Sequence, residues 1–155
     1  MKGDDTIIAT LNTLLADELT AINQYIVHSE MCANWGYDHL HEVNEKRAID
    51  EMRHAEKLIG RILFLEGRPV VSELNPIHIG GEVVDQLARD LDAEKGAVAA
   101  YNAAVRQAVD AADNGTRVLL ESILHDEEEH IDWLEAQLDQ VRQVGAQNYL
   151  AQQIS

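Results

Sequence analysis

Only one cysteine, Cys32, stands in 155 residues, so no intrachain disulfide can form, and a reducing cytoplasm is the expected setting. Prolines number two and aromatic residues make up 5% of the chain. The hydrophobic 46% is mostly Leu, Ile, Val and Ala, a composition that argues against a β-sandwich and for a helix bundle. No run approaches the ~18 apolar residues of a membrane span, and the opening MKGDDTII lacks the apolar centre of a secretion signal. Basic residues are also scarce: 12 Lys and Arg against 28 Asp and Glu, a formal net charge of −16. Such a chain repels nucleic acid and anionic membranes and attracts cations. A solvated acidic surface accounts for most of these charges.

What is present is helical periodicity. Leu11, Leu14, Leu15, Leu19, Ile22 and Ile26 recur at steps of three and four and predict a helix over 5–33. A short turn at 34–38 leads to a second helix over 39–66, ending at Gly67. Residues 67–81 hold both prolines and three of the nine glycines, and form the one long non-helical segment. A third helix is expected over 82–112, then a turn at Asp113-Asn114-Gly115 with Thr116 as N-cap. A fourth follows over 117–144, and a short fifth over 148–154. Helices of ~28 residues are ~42 Å long at 1.5 Å per residue. A fifteen-residue connection reaches ~50 Å at ~3.3 Å per residue, enough to cross the bundle end to end. The expected fold is therefore all-α, a single domain over 1–155: a four-helix bundle with one long crossover between helices two and three.

The chain also repeats itself. Glu51-x-x-His54 and Glu127-x-x-His130 stand 76 positions apart, and the same offset brings Glu18 onto Glu94, Tyr25 onto Tyr101, and Asp50 onto Asp126. Leu11, Leu15, Glu18, Ile22 and Tyr25 share one helix face, as do Glu51, His54, Leu58, Ile62 and Leu65. These carboxylates thus lie on the leucine stripes, where burial is costly unless they are paired or bind a cation. One ExxH is weak, since acidic helices produce it by chance. Two in register, each with a lone Glu on a partner helix, suit two divalent metals with bridging glutamates. The O/N ligand set without thiolate favours iron or manganese over zinc. Asp50 and Asp126 are placed to accept from a ligand imidazole's other N–H, each toward the His of the opposite hairpin. Tyr25 and Tyr101 lie two turns from the lone glutamates, as packing residues or, for Tyr25, as an electron source.

With lone Glu, ExxH, lone Glu, ExxH in place, the chain resembles the ferritin-like di-iron proteins. Within them it looks like a bacterioferritin, in MKGD at the start, NQY at 23–25, RILFLEG at 61–67, DEEEHIDWLE at 126–135 and NYL at 148–150. The resemblance implies a cytoplasmic iron store, a hollow 24-mer built from dimers. Each bundle would hold a ferroxidase centre of two irons on Glu18, Glu51, His54, Glu94, Glu127 and His130, with Glu51 and Glu127 bridging. Iron(II) would be oxidised there by O2 or H2O2, with Tyr25 as an auxiliary redox residue, and iron(III) kept as mineral. It also implies haem b between subunit pairs, with Met52 of each as axial ligand, and a ferredoxin that donates electrons for iron release.

Some positions depart from that pattern. Glu45-Lys46 stands where relatives carry Tyr-His, which puts an inner-surface iron site in question. Arg68 replaces an aliphatic residue near the expected ferredoxin footprint, and both changes are compatible with a mixed assembly containing a second subunit type. Asn34, Glu66, Asp132 and Asp139 resemble pore-lining positions or are ordinary surface polars. Two other functions compete: a different di-iron oxidase or peroxide reductase, which needs a substrate cleft that so small a bundle leaves little room for, and a metal-free structural assembly.

Overall fold

The computed structural model describes residues 1–155 and is built from helices alone: α1 Asp5–Trp35, α2 Asp38–Phe64, α3 Val83–Asp110, α4 Asn114–Val144 and the short α5 Ala146–Ala151. The dominant packing is within two hairpins, α1 on α2 and α3 on α4, which then meet along α1–α3 and α2–α4. Tyr25 of α1 meets Glu94 of α3 while Glu18 meets Tyr101, so α1 and α3 run antiparallel. His54 meets Asp126 and Asp50 meets His130, so α2 and α4 do the same. This is the expected four-helix bundle with one crossover. No helix is long and apolar enough to cross a membrane.

Local chemistry sets the helix ends. The Asp4 carboxylate caps α1 by accepting from the Thr6 and Ile7 amides. Gly36, at φ +83°, closes α1 in the left-handed conformation, and the Tyr37 amide reaches back to the Cys32 carbonyl. α2 stops at Phe64, short of the expected 66, because the left-handed residue is Glu66 at φ +62° rather than Gly67. Gly67 is needed for close approach instead, since a Cβ there would sit 2.7 Å from Ile8. α4 begins at Asn114, three residues before the expected start. The cap is Asp113, which accepts from the Thr116 amide and hydroxyl and from Arg61, so Thr116 is a donor to the cap and not the cap itself. α1 runs on to Trp35 and α5 occupies 146–151 rather than 148–154.

The crossover runs the length of α1, tied by a ladder of polar side chains. Asn12 accepts from the Val70 amide and donates to the Arg68 carbonyl, Thr20 accepts from the Asn75 amide, Gln24 from His78 and His28 from Gly80. The core is split in two. One cluster joins Ile7, Leu11, Leu14 and Leu15 to Leu58, Ile62, Tyr101 and Ile123. A smaller one joins Cys32, Leu40, Leu87, Leu134 and Tyr149 at the far end. Between them lies a layer of buried polar and charged side chains.

Candidate metal centre

Each long helix sends its polar stripe into that layer. On α2 the buried stripe includes 40, 44, 47, 51, 54, 58 and 62, so Glu51 and His54 continue the line of Leu40, Leu58 and Ile62. On α3, Val83, Leu87, Asp90, Glu94 and Tyr101 do likewise. Glu18, Glu51, His54, Glu94 and Glu127 are at most 2% exposed, and His130 is 7% exposed.

These six residues converge as two interlocking groups. One is Glu18, Glu51, His54 and Glu127; the other is Glu51, Glu94, Glu127 and His130, with the ligand-capable atoms of each within 4.8 Å of one another. Glu51 and Glu127 belong to both. Nδ1 of His54 faces Glu127 at 3.1 Å and Glu51 at 3.5 Å, while Nδ1 of His130 faces Glu51 at 3.1 Å and Glu94 at 3.2 Å. Despite that crowding, Glu18 Oε2, both oxygens of Glu51, Glu94 Oε2, Glu127 Oε1 and His54 Nδ1 are buried without a hydrogen-bond partner. Such a concentration of orphaned acceptors is strongly unfavourable unless a cation fills the space. The donor set, carboxylates and imidazoles without sulfur, fits iron.

The imidazoles are held from behind. His54 Nε2 lies 2.9 Å from Asp126, and His130 Nε2 lies 3.1 Å from Asp50, in each case across the α2–α4 seam. With Nε2–H donated outward, each Nδ1 faces inward and can offer a lone pair once a cation displaces its proton. The Tyr25 hydroxyl donates to Glu94 Oε1 at 2.5 Å, and the Tyr101 hydroxyl donates to Glu18 Oε1. Each tyrosine therefore serves the lone Glu of the other half, which gives Tyr101 a polar role beyond packing. Both phenols are pushed far up, by burial first and then by neighbouring carboxylates. Met52 is not brought to the centre; it is 41% exposed on α2, as are its neighbours in kind Ile49 on α2 and Ile26 on α1, at 43% and 47%. Asn34, Glu66, Asp132 and Asp139 are all exposed.

Two openings approach the centre. A cavity of about 570 Å³ on the crossover side is lined by Asp17, Glu18, Glu51, Asp92 and Glu127 among others, and runs from the surface to the ligands. So there is room beside the ligands after all, because the crossover stands off from α1 and α3 around Asn75, Pro76 and His78 and adds a wall to the bundle. A second hollow of about 360 Å³ on the α2–α4 side is lined by Lys46, Asp50, Asp126 and His130. There Lys46 Nζ pairs with Asp50 at 3.2 Å.

The sequence reading missed four buried residues. Arg47, 3% exposed, pairs with Asp90 at 3.2 Å and Glu94 at 3.5 Å and lies 4.2 Å over the Tyr25 ring. Asp90 also accepts from Gln24 and His28. The signal was available: Arg47 is four residues before Glu51, and Asp90 four before Glu94, on stripes already identified.

The model of the ferritin-like domain matches residues 8–144. A bacterioferritin of Mycobacterium leprae is 41% identical over 155 residues, covering 100% of this chain and 98% of that protein. A bacterial ferritin of Synechocystis is 42% identical over 156 residues and 100% of both chains. A bacterioferritin of Brucella melitensis is 40% identical over 149 residues. The chain belongs to the bacterioferritin family.

Proposed function

We propose that this protein stores iron and detoxifies it by oxidising iron(II) at the buried Glu/His centre. The observation that carries the reading is the set of buried, unpartnered ligand atoms on Glu18, Glu51, His54, Glu94 and Glu127. Two iron ions fit the two interlocking groups, with Glu51 and Glu127 shared between them. Iron(II) is the substrate: two ions give up one electron each, which takes O2 to hydrogen peroxide or H2O2 to water. The chain's own residues prepare that exchange. Asp50 and Asp126 fix the imidazoles so that Nδ1 points inward, and the shared glutamates release protons as cations arrive. Tyr25, bonded to Glu94, is close enough to donate an electron to the centre. The crossover-side cavity, with Asp17 and Asp92 in its wall, is an attractive path for iron(II).

In this reading the product is held as ferric mineral inside a cytoplasmic 24-mer assembled from dimers, as a homo-oligomer or with a second subunit type. Met52 of paired subunits would hold a haem b, which would carry electrons from a ferredoxin for iron release. Lys46, bonded to Asp50, takes the place of a cation in the α2–α4 hollow, which weighs against a further iron site there.

The test is an aerobic iron(II) titration of metal-free protein beside Glu94→Ala. Expected is a fast phase that saturates at two irons per chain, vanishes in the variant, and precedes slow uptake of many more. Equal slow rates in both proteins would sink the ferroxidase reading. Saturation at two irons with no further uptake would leave an oxidase without a store.

A further inference from the structure

The 76-residue repeat relates the six ligands, the two tyrosines and the two supporting aspartates as matched pairs. The surroundings of the two halves do not match. Around Glu94, His130 and Tyr25 stand Arg47, Asp90, His28 and Gln24, all buried. The same offset maps these four onto Ile123, Leu14, Ala104 and Ala100, which surround Glu18, His54 and Tyr101 as part of the larger apolar cluster. A symmetric ligand set thus sits in an asymmetric shell, polar on one side and hydrocarbon on the other.

The polar side has a definite electrical sense. The Gly80 amide donates to His28 Nε2, so the ring proton is on Nδ1, where it is given to Asp90. Asp90 offsets the far side of the Arg47 guanidinium through Nη1 at 3.2 Å. The near side, Nη2, faces Glu94 Oε1 at 3.5 Å. The pair is therefore a buried dipole with its positive end on Glu94. That same oxygen also receives the Tyr25 hydroxyl at 2.5 Å and faces His130 Nδ1 at 3.2 Å. On the other half, Glu18 Oε1 receives the Tyr101 hydroxyl and Glu18 Oε2 lies 3.6 Å from His54 Nδ1, with no guanidinium beside either. Glu94 is left with less unshared negative charge to offer a cation than Glu18, and an incoming divalent ion meets a fixed positive end only on the Glu94 side.

We infer that the two metal positions are unequal and fill in order: the Glu18–His54 position binds first and more tightly, the Glu94–His130 position second and more weakly, with Arg47 setting the difference. The inference rests on the di-metal reading of the centre. Arg47 acts as a positioning and tuning residue that touches no metal itself. One position that holds its ion and one that gives it up readily suit a centre that must pass oxidised iron onward.

Cobalt(II) is the probe, since it reports binding by visible absorbance and heat without being oxidised in the assay. Native protein should bind two Co(II) per chain in two steps at least about tenfold apart, a gap within reach of one nearby charge at an effective dielectric of about 20. Glu94→Ala should keep the tight step and lose the weak one; Glu18→Ala should keep only a weak step. Arg47→Gln should narrow the gap by tightening the second step. Asp90→Asn, which leaves the Arg47 charge less offset, should widen it, and serves where Arg47→Gln fails to fold. Two equal steps in native protein, loss of the tight step in Glu94→Ala, or a gap untouched by both Arg47→Gln and Asp90→Asn would overturn the inference while leaving the di-metal centre standing. No Co(II) binding at all would remove the centre itself.

Discussion

Burial holds the Glu127 carboxyl up to about 8, with the charges of Glu94 and Glu18 adding to it against the pull of the adjacent His54 ring. Glu51 is also held well above the usual carboxylate range, by burial and then by Glu18. For His54 burial works downward, but the Glu127 and Glu18 carboxylates facing its Nδ1 outweigh it and raise the ring to about 11. The metal-free centre therefore keeps protons at neutral pH that the unfolded chain releases. Stability from these groups is complete below their unfolded values. It is lost as pH rises, through about 8 for Glu127 and toward 11 for His54. Glu94 works in the opposite sense. Burial alone would raise it, yet the His130 contact, the neighbouring Glu127 carboxyl and the Arg47 charge hold it at about 2, so its contribution is lost only in strong acid. The urea midpoint of metal-free protein should fall between pH 6 and pH 9, and Zn(II), which displaces those protons, should flatten or reverse the slope. A flat profile without metal would show the glutamates already ionised in the fold. At this scale the convergence of the six Glu and His side chains was legible because carboxylates interrupting a leucine stripe have few explanations. Arg47 and Asp90 were not read, because a repeat search finds what the two halves share and these residues are what they do not share.

At the scale of the element, two helices end on residues that dislike the conformation they adopt. Glu66 and Ala112 are both left-handed, at φ +62° and +54°. Each is the residue past a helix end whose following amide reaches back, Gly67 to Ile62 and Asp113 to Ala108. A left-handed non-glycine costs roughly 1 kcal/mol, so Ala112→Gly should stabilise the protein by about that much, seen as a higher urea midpoint with unchanged slope. A lower midpoint would mean that the extra freedom of glycine in the unfolded chain outweighs the relief. These ends also explain why helix boundaries were read less well than helices. Periodicity over four long stripes fixed the bundle and its crossover, but the move of the cap from the expected Thr116 to Asp113 depends on Arg61, contributed from α2. The path of the crossover was likewise hidden. It is set by Asn12, Thr20, Gln24 and His28, which in sequence look like ordinary polar positions on a helix.

At the scale of the whole molecule, the same hairpin that supplies Glu18, Glu51 and His54 to the interior leaves Ile26, Ile49 and Met52 outside. Glu51 and Met52 are adjacent, and the ~100° between neighbours on a helix sends one inward and the other out. In the proposed reading catalysis and assembly therefore fall on opposite faces of one element, and a change on the outer face should leave the inner one working. Met52→Leu keeps the apolar volume and removes only the weakly coordinating sulfur. The expected result is a cage of unchanged sedimentation with a normal fast phase of iron oxidation and no Soret absorbance after haem is added. Retention of a native haem spectrum in Met52→Leu would remove Met52 as the axial ligand. Loss of the assembly in the same variant would instead assign Met52 to subunit contact, with haem following from the dimer rather than from the sulfur.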